Sequence, residues 1–543
     1  MSLKVDPHKL SLGPLRSRVD NRIDRWRQED VDRRISSKDD SVWSARPIPE
    51  LKDRLGWLDL HETMLPRVAE FEALSEAVRG AEIRHVVLLG MGGSSLAPEV
   101  YAATLGKAPG CPELEVLDST HPVAVVDVES RIDLERTLFV VSSKSGTTIE
   151  TLSLLGRFWN RISDVTTAPG NHFMAITDPG TPLQRLGEER QFRSVVNAPP
   201  DVGGRYSALS PFGLVPAALM GGDIRGLLAA SRAMAAAPDN PGLQLGAVLG
   251  ELAESNVNKV TFVTSPALSA FPAWIEQLVA ESTGKNGKGI IPVVSESPRN
   301  ESHYERDRLF VFISLEGDRP RPAPNNEALL RSGHPVVEIQ LHERTDLGQE
   351  VFRWEMAVAC AGAILGINPF DQPDVQLAKD LARQAMEGQA RQPDAAELPV
   401  SADNTEELRR ALGEWAEASP GDYLGLQAYL ASHQETSAAL GEIRAKLGSS
   451  LGVATTSGFG PRFLHSTGQL HKGGPNTGHF LQLVDTPEQD VSVPGTDYTF
   501  GDLIAAQALG DYRALVQRQR SVLRIDVGSR PVEGLENIMA ALP

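Results

Sequence analysis

An α/β protein with two doubly wound parallel sheets and a C-terminal α/β extension is predicted by three features of the chain. Short, mostly apolar runs end in Gly, Ser or Asp; stretches with helical spacing lie between several of them; and the set of runs begins afresh near residue 225. Near-continuous apolar strands separated by helices mark a parallel sheet covered on both faces, since a half-exposed sheet would alternate.

Residues 1–50, rich in Arg and Asp and carrying Trp26 and Trp43, read as a helical, partly exposed lead-in. Residues 51–224 form the first α/β domain, with strands over Val86–Gly90, Leu114–Ser119, Leu138–Ser142 and Phe173–Asp178. Residues 225–391 form the second, with strands over Val260–Thr264, Gly289–Val294, Leu309–Ser314 and Val336–Leu341 and a helix over Ile275–Ser282. The last portion, 392–543, opens on an acidic, proline-bearing linker, Gln392–Asn404. It continues as helices to about residue 447 and then as strands over Leu451–Thr456, Phe480–Asp485 and Val522–Val527.

Bulk composition narrows the function. At 41% hydrophobic and 23% charged, the 543-residue chain is a folded protein rather than a disordered one. Its net charge of -18 argues against nucleic-acid or anionic-membrane partners, yet a small anionic substrate answers to a few local donors. Cys111 and Cys360 stand alone, which fits a reducing compartment and no disulfide framework. The N-terminus lacks the apolar core of a signal peptide, and no apolar run is long enough to span a bilayer, so a cytoplasmic protein is expected.

Two turns carry phosphate chemistry. In the first, a strand runs into Gly90-Met91-Gly92-Gly93-Ser94-Ser95 ahead of a helix, where glycines let backbone N–H groups approach an anion. A tight corner would explain it equally well, and Ser95 stands where a nicotinamide fingerprint needs its third glycine. The second is more specific: Ser143-Lys144-Ser145-Gly146-Thr147-Thr148 gathers several hydroxyls at a strand end. One helix cap needs one hydroxyl, whereas a phosphate dianion takes several donors.

With these turns the chain resembles sugar isomerase (SIS) domains, and four further segments narrow the resemblance to the phosphoglucose isomerase family. Gly203-Gly204-Arg205-Tyr206-Ser207 is similar to that family's GGR[FY]S, Glu281-Ser282-Thr283-Gly284-Lys285 to its ES[NT]GK, and Gly366-Ile367-Asn368-Pro369-Phe370-Asp371-Gln372 with Val375 and Lys379 to its G[IV]N[SP]FDQ…V…K. His465-Ser466-Thr467-Gly468-Gln469-Leu470 resembles the histidine segment. In the common members that segment precedes FDQ; here it follows, as does the helix-like Thr499–Arg520, so the chain resembles the locally permuted bacterial subfamily sometimes fused to transaldolase.

The resemblance implies reversible isomerisation of glucose 6-phosphate to fructose 6-phosphate, with no cofactor and no metal, in a homodimer. Glu281 is then the base, Arg205 the enediolate stabiliser, and His465 with Lys379 the ring-opening pair. Partial burial is expected to lift the Glu281 carboxyl toward the working pH. Gly93, Ser94, Ser143, Lys144, Ser145, Thr147 and Thr148 are assigned to the phosphate, and Gln372 to the sugar. His303 ranks behind His465 for ring opening, Asp371 holds the turn, and His471 and His479 lie near the site without moving protons. Two alternatives remain: dual use of mannose 6-phosphate, set by side chains beside the base that include Thr283, and a SIS-type protein that binds sugar phosphate without turning it over.

Overall fold

The computed structural model describes Val5 and residues 7–318, 324–386, 397–417 and 419–542. The lead-in is helical over Arg16–Gln28 and Val31–Ser36, but it opens with a strand, β1 (Lys9–Ser11). It is no loose arm: Val19, Trp26, Ile35 and Trp43 are buried, and Trp43 Nε1 donates to the Ala359 carbonyl at 2.8 Å.

The first sheet uses β2 (His85–Gly90), β3 (Glu113–Leu117), β4 (Thr137–Ser142), β5 (Phe173–Thr177) and β6 (Ser194–Asn197) in the order β3-β2-β4-β5-β6. All its pairings are parallel, and the order reverses direction between β2 and β4. In an open α/β sheet the crevice at such a reversal is where ligands bind. Gly90 is in register with Ser142, so both phosphate-type turns leave the sheet side by side.

The second sheet holds β7 (Lys259–Thr264), β8 (Ile291–Val293), β9 (Arg308–Leu315) and β10 (Val336–Leu341), ordered β1-β10-β9-β7-β8. Its strands run parallel except β1, which adds an antiparallel edge against β10. Behind it the helix Leu347–Leu365 is buried along nearly its whole length. A helix so enclosed must be approached closely, and Gly242, Gly246 and Gly250 supply that on the facing helix Pro241–Ala253. A Cβ at Gly246 would lie 2.4 Å from the Cβ of Cys360.

The C-terminal part is a complete third sheet. It comprises β11 (Val400–Ser401), β12 (Tyr423–Tyr429), β13 (Ala454–Phe459), β14 (Gly478–Val484) and β15 (Ser521–Asp526), parallel throughout in the order β11-β15-β14-β12-β13. The helical reading to residue 447 is therefore corrected: Tyr423–Tyr429 is a wholly buried strand paired on both sides, by β14 and β13, and lies in the chain between helices Thr405–Trp415 and Gln434–Leu451. The strand read at Leu451–Thr456 moves to β13 because Gln434–Leu451 completes a helix, ended by Gly452 at φ +77°. Of the linker read over Gln392–Asn404, residues up to 396 lie outside the described residues. Val400–Ser401 pairs with β15, and Asn404 caps the next helix by accepting from Glu407 N. Among the described residues no helix is long and apolar enough to cross a membrane.

Candidate active site

Three of the loop hydroxyls face a cavity of about 390 Å³, lined by Ser145, Thr147 and Thr148 together with Glu150, Lys379 and His465. Thr148 occupies the cap position of the helix Ile149–Ser163, yet its side chain makes no capping bond. It pairs instead with Ser143 Oγ at 2.9 Å, while Ser145 and Thr147 pair at 3.0 Å. The first-turn N–H groups of a fifteen-residue helix thus point toward the cavity beside three hydroxyls, an arrangement suited to a dianion.

The other proposed phosphate residues lie elsewhere. Ser143 is buried and also accepts from Gly146 N at 3.1 Å, so it shapes the turn. Lys144 leaves the cavity altogether: its ammonium pairs with Asp178 and donates to the Pro200 carbonyl at 3.2 Å. Ser94 is buried outside the cavity lining. At Gly93 an added Cβ would fall 2.0 Å from the Gly204 carbonyl oxygen. Its missing side chain therefore seats the loop that carries Arg205. Gly93→Ala is expected to push that loop away, lowering turnover by at least about tenfold and stability by about 1–3 kcal/mol. Steady-state kinetics and thermal unfolding check both effects.

Arg205 is buried and ties three segments together. Its Nε donates to Ser282 Oγ at 2.7 Å, Nη1 to Gln372 Oε1 at 2.8 Å, and Nη2 to the carbonyls of Pro369 and Asp371 at 2.6 and 2.9 Å. Glu281, on the helix Phe271–Thr283, places Oε1 3.5 Å from Nη1, and only 12% of its side chain is exposed. Its other oxygen accepts from Gln277 Nε2 at 3.1 Å, and the same amide donates to the His465 carbonyl at 2.8 Å. Glu281 and the His465 segment are thereby joined through one buried glutamine.

The histidine segment sits among the other motifs despite its late place in the chain. Gln469 Nε2 donates to the Gly284 carbonyl at 2.9 Å and to Asp374 Oδ2 at 2.8 Å, and its Oε1 accepts from Asp374 N at 2.8 Å. It thus stitches the ESTGK segment to the residues after FDQ. His465 Nε2 lies 2.9 Å from Glu150 Oε1. Burial pushes the Glu150 carboxyl up, but the charge and hydrogen bond of His465 outweigh it, and the carboxyl is held below its usual range. Glu150 is the residue that sequence reasoning missed: a glutamate in the first turn of a helix reads as ordinary dipole compensation. His303 is exposed on the Glu301–His303 turn and lines no part of the cavity.

Lys379 projects into the cavity from the helix Pro373–Met386. Lys285 lies beneath the site, buried, with its ammonium 2.8 Å from Asp371 and 2.6 Å from the Asn368 carbonyl. Burial first, then the Arg205 charge, pushes it down to about 7 against the pull of Asp371 and Glu281. The Asp371 side chain is thus engaged by Lys285, while its backbone carbonyl accepts from Arg205. His471 is buried against Gln427, and His479 pairs with Asp422 at 3.2 Å. Thr283 does not face the site: its hydroxyl donates to the Val279 carbonyl at 2.8 Å, accepts from Ile290 N at 3.0 Å, and is fully buried. The expectation that it sorts C2 epimers by contact is corrected on that ground.

Parallel sheets, with donor-lined turns at the strand ends of the first and a buried carboxylate–guanidinium pair nearby, make this an α/β protein with an anion-binding crevice. A family model described as phosphoglucose isomerase matches residues 67–293, ending just past the ESTGK segment. A glucose-6-phosphate isomerase of Symbiobacterium thermophilum is 33% identical over 387 residues, covering 60% of this chain and 85% of that protein. One from Rubrobacter xylanophilus is 28% identical over 392 residues, covering 61% and 88%. The crystal structure of a hypothetical protein from Thermus thermophilus superposes with a TM-score of 0.60 at 26% identity, over 70% of this chain and all of that one. The chain belongs to the phosphoglucose isomerase family.

Proposed function

We propose that this chain is an aldose–ketose isomerase that interconverts glucose 6-phosphate and fructose 6-phosphate. The observation that carries the reading is Glu281: a carboxylate largely withdrawn from water, 3.5 Å from a permanently charged guanidinium and bridged to His465. Once the ring is open, Glu281 takes the proton from C2, the electron pair of that bond forms the C1–C2 double bond, and the C1 carbonyl becomes an enediolate oxygen. Arg205 stabilises that charge. Return of that proton to C1, with the O2 proton lost as O1 gains one, leaves the ketose, so no electrons or protons leave the substrate overall and none are supplied.

Ser145, Thr147, Thr148 and the N-terminus of the Ile149–Ser163 helix hold the phosphate, binding energy drawn from a part of the substrate that does not react. His465, oriented by its contact with Glu150, and Lys379 serve the ring oxygen and O1 during opening. Gln372, oriented by Arg205, meets the sugar hydroxyls. The names of the relatives support this substrate, and a cytoplasmic homodimer is part of the same proposal; sedimentation of the protein in solution tests the dimer.

An assay with glucose 6-phosphate and mannose 6-phosphate, each with and without EDTA, is expected to show turnover of glucose 6-phosphate that survives the chelator. No turnover of either sugar, with sugar phosphate still bound, would make the chain a sensor. His465→Ala is expected to depress the cyclic substrate at least about tenfold more than an acyclic aldose phosphate. Selective loss in His303→Ala, and none in His465→Ala, would reverse that assignment.

A further inference from the structure

We propose that Thr120 and Gln507 act as positioning residues that fix which ring nitrogen of His465 exchanges a proton, working through Glu150. The inference rests on the ring-opening role of His465 given above. Gln507 is buried on the helix Phe500–Gln517, and both ends of its amide are engaged. Its Oε1 accepts from Thr120 Oγ1 at 2.7 Å, and its Nε2 donates to Glu150 Oε1 at 2.7 Å.

The direction of this relay follows from the donor inventory. A threonine hydroxyl has one proton to give, and given to Oε1 it settles which way the amide faces. Flipping the amide would set its oxygen against the carboxylate oxygen of Glu150. Thr120 is not spent on capping the next helix, because His121 Nδ1 does that by accepting from Val123 N at 3.3 Å. The hydroxyl, fully buried, has Gln507 as its partner.

Glu150 Oε1 therefore receives an N–H from Gln507 and stands 2.9 Å from His465 Nε2. An ionised carboxylate only accepts, so the neutral imidazole keeps its hydrogen on Nε2. Nδ1 is left as the atom that takes a proton from, or returns one to, the sugar ring oxygen. Thr120 and Glu150 belong to the first sheet's unit, Gln507 and His465 to the third, so the tautomer is set only where the two units meet. Sequence inspection could not pair these residues, since the hydroxyl and the amide lie far apart along the chain.

The test labels histidine with ¹⁵N in the full chain and uses His465→Ala to identify the His465 resonances. Wild type and Thr120→Ser are expected to show the Nε2–H tautomer. Thr120→Val and Gln507→Leu should populate Nδ1–H, and their kcat/KM for cyclic glucose 6-phosphate should fall between about tenfold and a hundredfold. Turnover of an acyclic aldose phosphate should stay within about threefold, because proton transfer at carbon does not use this relay. An unchanged tautomer and an unchanged cyclic-to-acyclic ratio in both variants would overturn the relay. If His465→Ala itself spares the cyclic substrate, the ring-opening role fails instead, and the tautomer readout still judges the relay on its own.

Discussion

Glu281→Gln is expected to lower kcat by about a thousandfold or more while inorganic phosphate binds within about threefold of wild type. The amide has the carboxylate's shape but cannot hold the C2 proton. The fold should tolerate it: Gln277 Nε2, which donates to Glu281 Oε2 at 3.1 Å, finds an amide oxygen in the same place, and its bond to the His465 carbonyl is untouched. The cost falls on Arg205, whose Nη1 loses its anionic neighbour at 3.5 Å, but its four hydrogen bonds to Ser282, Gln372, Pro369 and Asp371 remain. Exchange of the C2 hydrogen with solvent deuterium separates the chemical step from ring opening. Near-normal exchange in the variant would remove Glu281 as the base.

The first two sheets were legible because their strands bury both faces and so read as apolar runs; Val86–Gly90 and Leu138–Ser142 fall within a residue of β2 and β4. β12 was not legible. In Tyr423–Tyr429 the glycine and Gln427 interrupt the run, and the glutamine is tolerated only because it bonds His471 Nδ1, a partner supplied by another element. β1 escaped for a similar reason: three residues become a strand only because β10 offers an unpaired edge.

The site divides the same way. Residues whose chemistry is written in their local motif fall into place: Glu281 pairs with Arg205, and the hydroxyls at 145–148 line the neighbouring cavity, joined to that pair through Gln277 and His465. Residues whose role depends on a partner could not be read so. Lys144 looked like a phosphate cation until Asp178 claimed it, and Thr283 looked like a specificity contact until helix geometry turned it inward. Glu150 and Gln507 gain meaning only from His465, which the chain delivers from the far side of the third sheet. The displaced histidine segment shows why order along the chain is a weak guide. Gln469 needs only the Gly284 carbonyl and Asp374 within reach, and the approach is close enough that a Cβ on Gly284 would sit 2.4 Å from the Leu470 Cα.

Arg205→Lys keeps the charge and is nonetheless expected to cost about a hundredfold or more in kcat/KM. The guanidinium serves four acceptors in fixed directions: a serine hydroxyl, the Gln372 side chain and two backbone carbonyls that form the turn at Pro369 and Asp371. An ammonium has three protons and a shorter reach, so it leaves at least one of these buried groups unmet, at about 1–3 kcal/mol. Gln372 is then free to rotate away from the sugar. Lys285 adds a second effect: it already sits near neutrality in its charge state, pushed down to about 7 by burial and by the Arg205 charge. A lysine at 205 leaves a cation nearby and gives no relief, whereas Arg205→Gln removes the repulsion and lets Lys285 take up its proton. The two variants should therefore part company with pH. Below the wild-type Lys285 transition both hold a charged Lys285 and their stabilities run parallel, with Arg205→Lys lower by the repulsion; above it Arg205→Lys gains stability as pH rises, because its folded state binds fewer protons than the unfolded chain, while Arg205→Gln stays level to higher pH. Thermal unfolding scanned from about pH 6 to 9 reads this directly, and parallel stability profiles for the two variants would mean that Arg205 does not set the charge of Lys285.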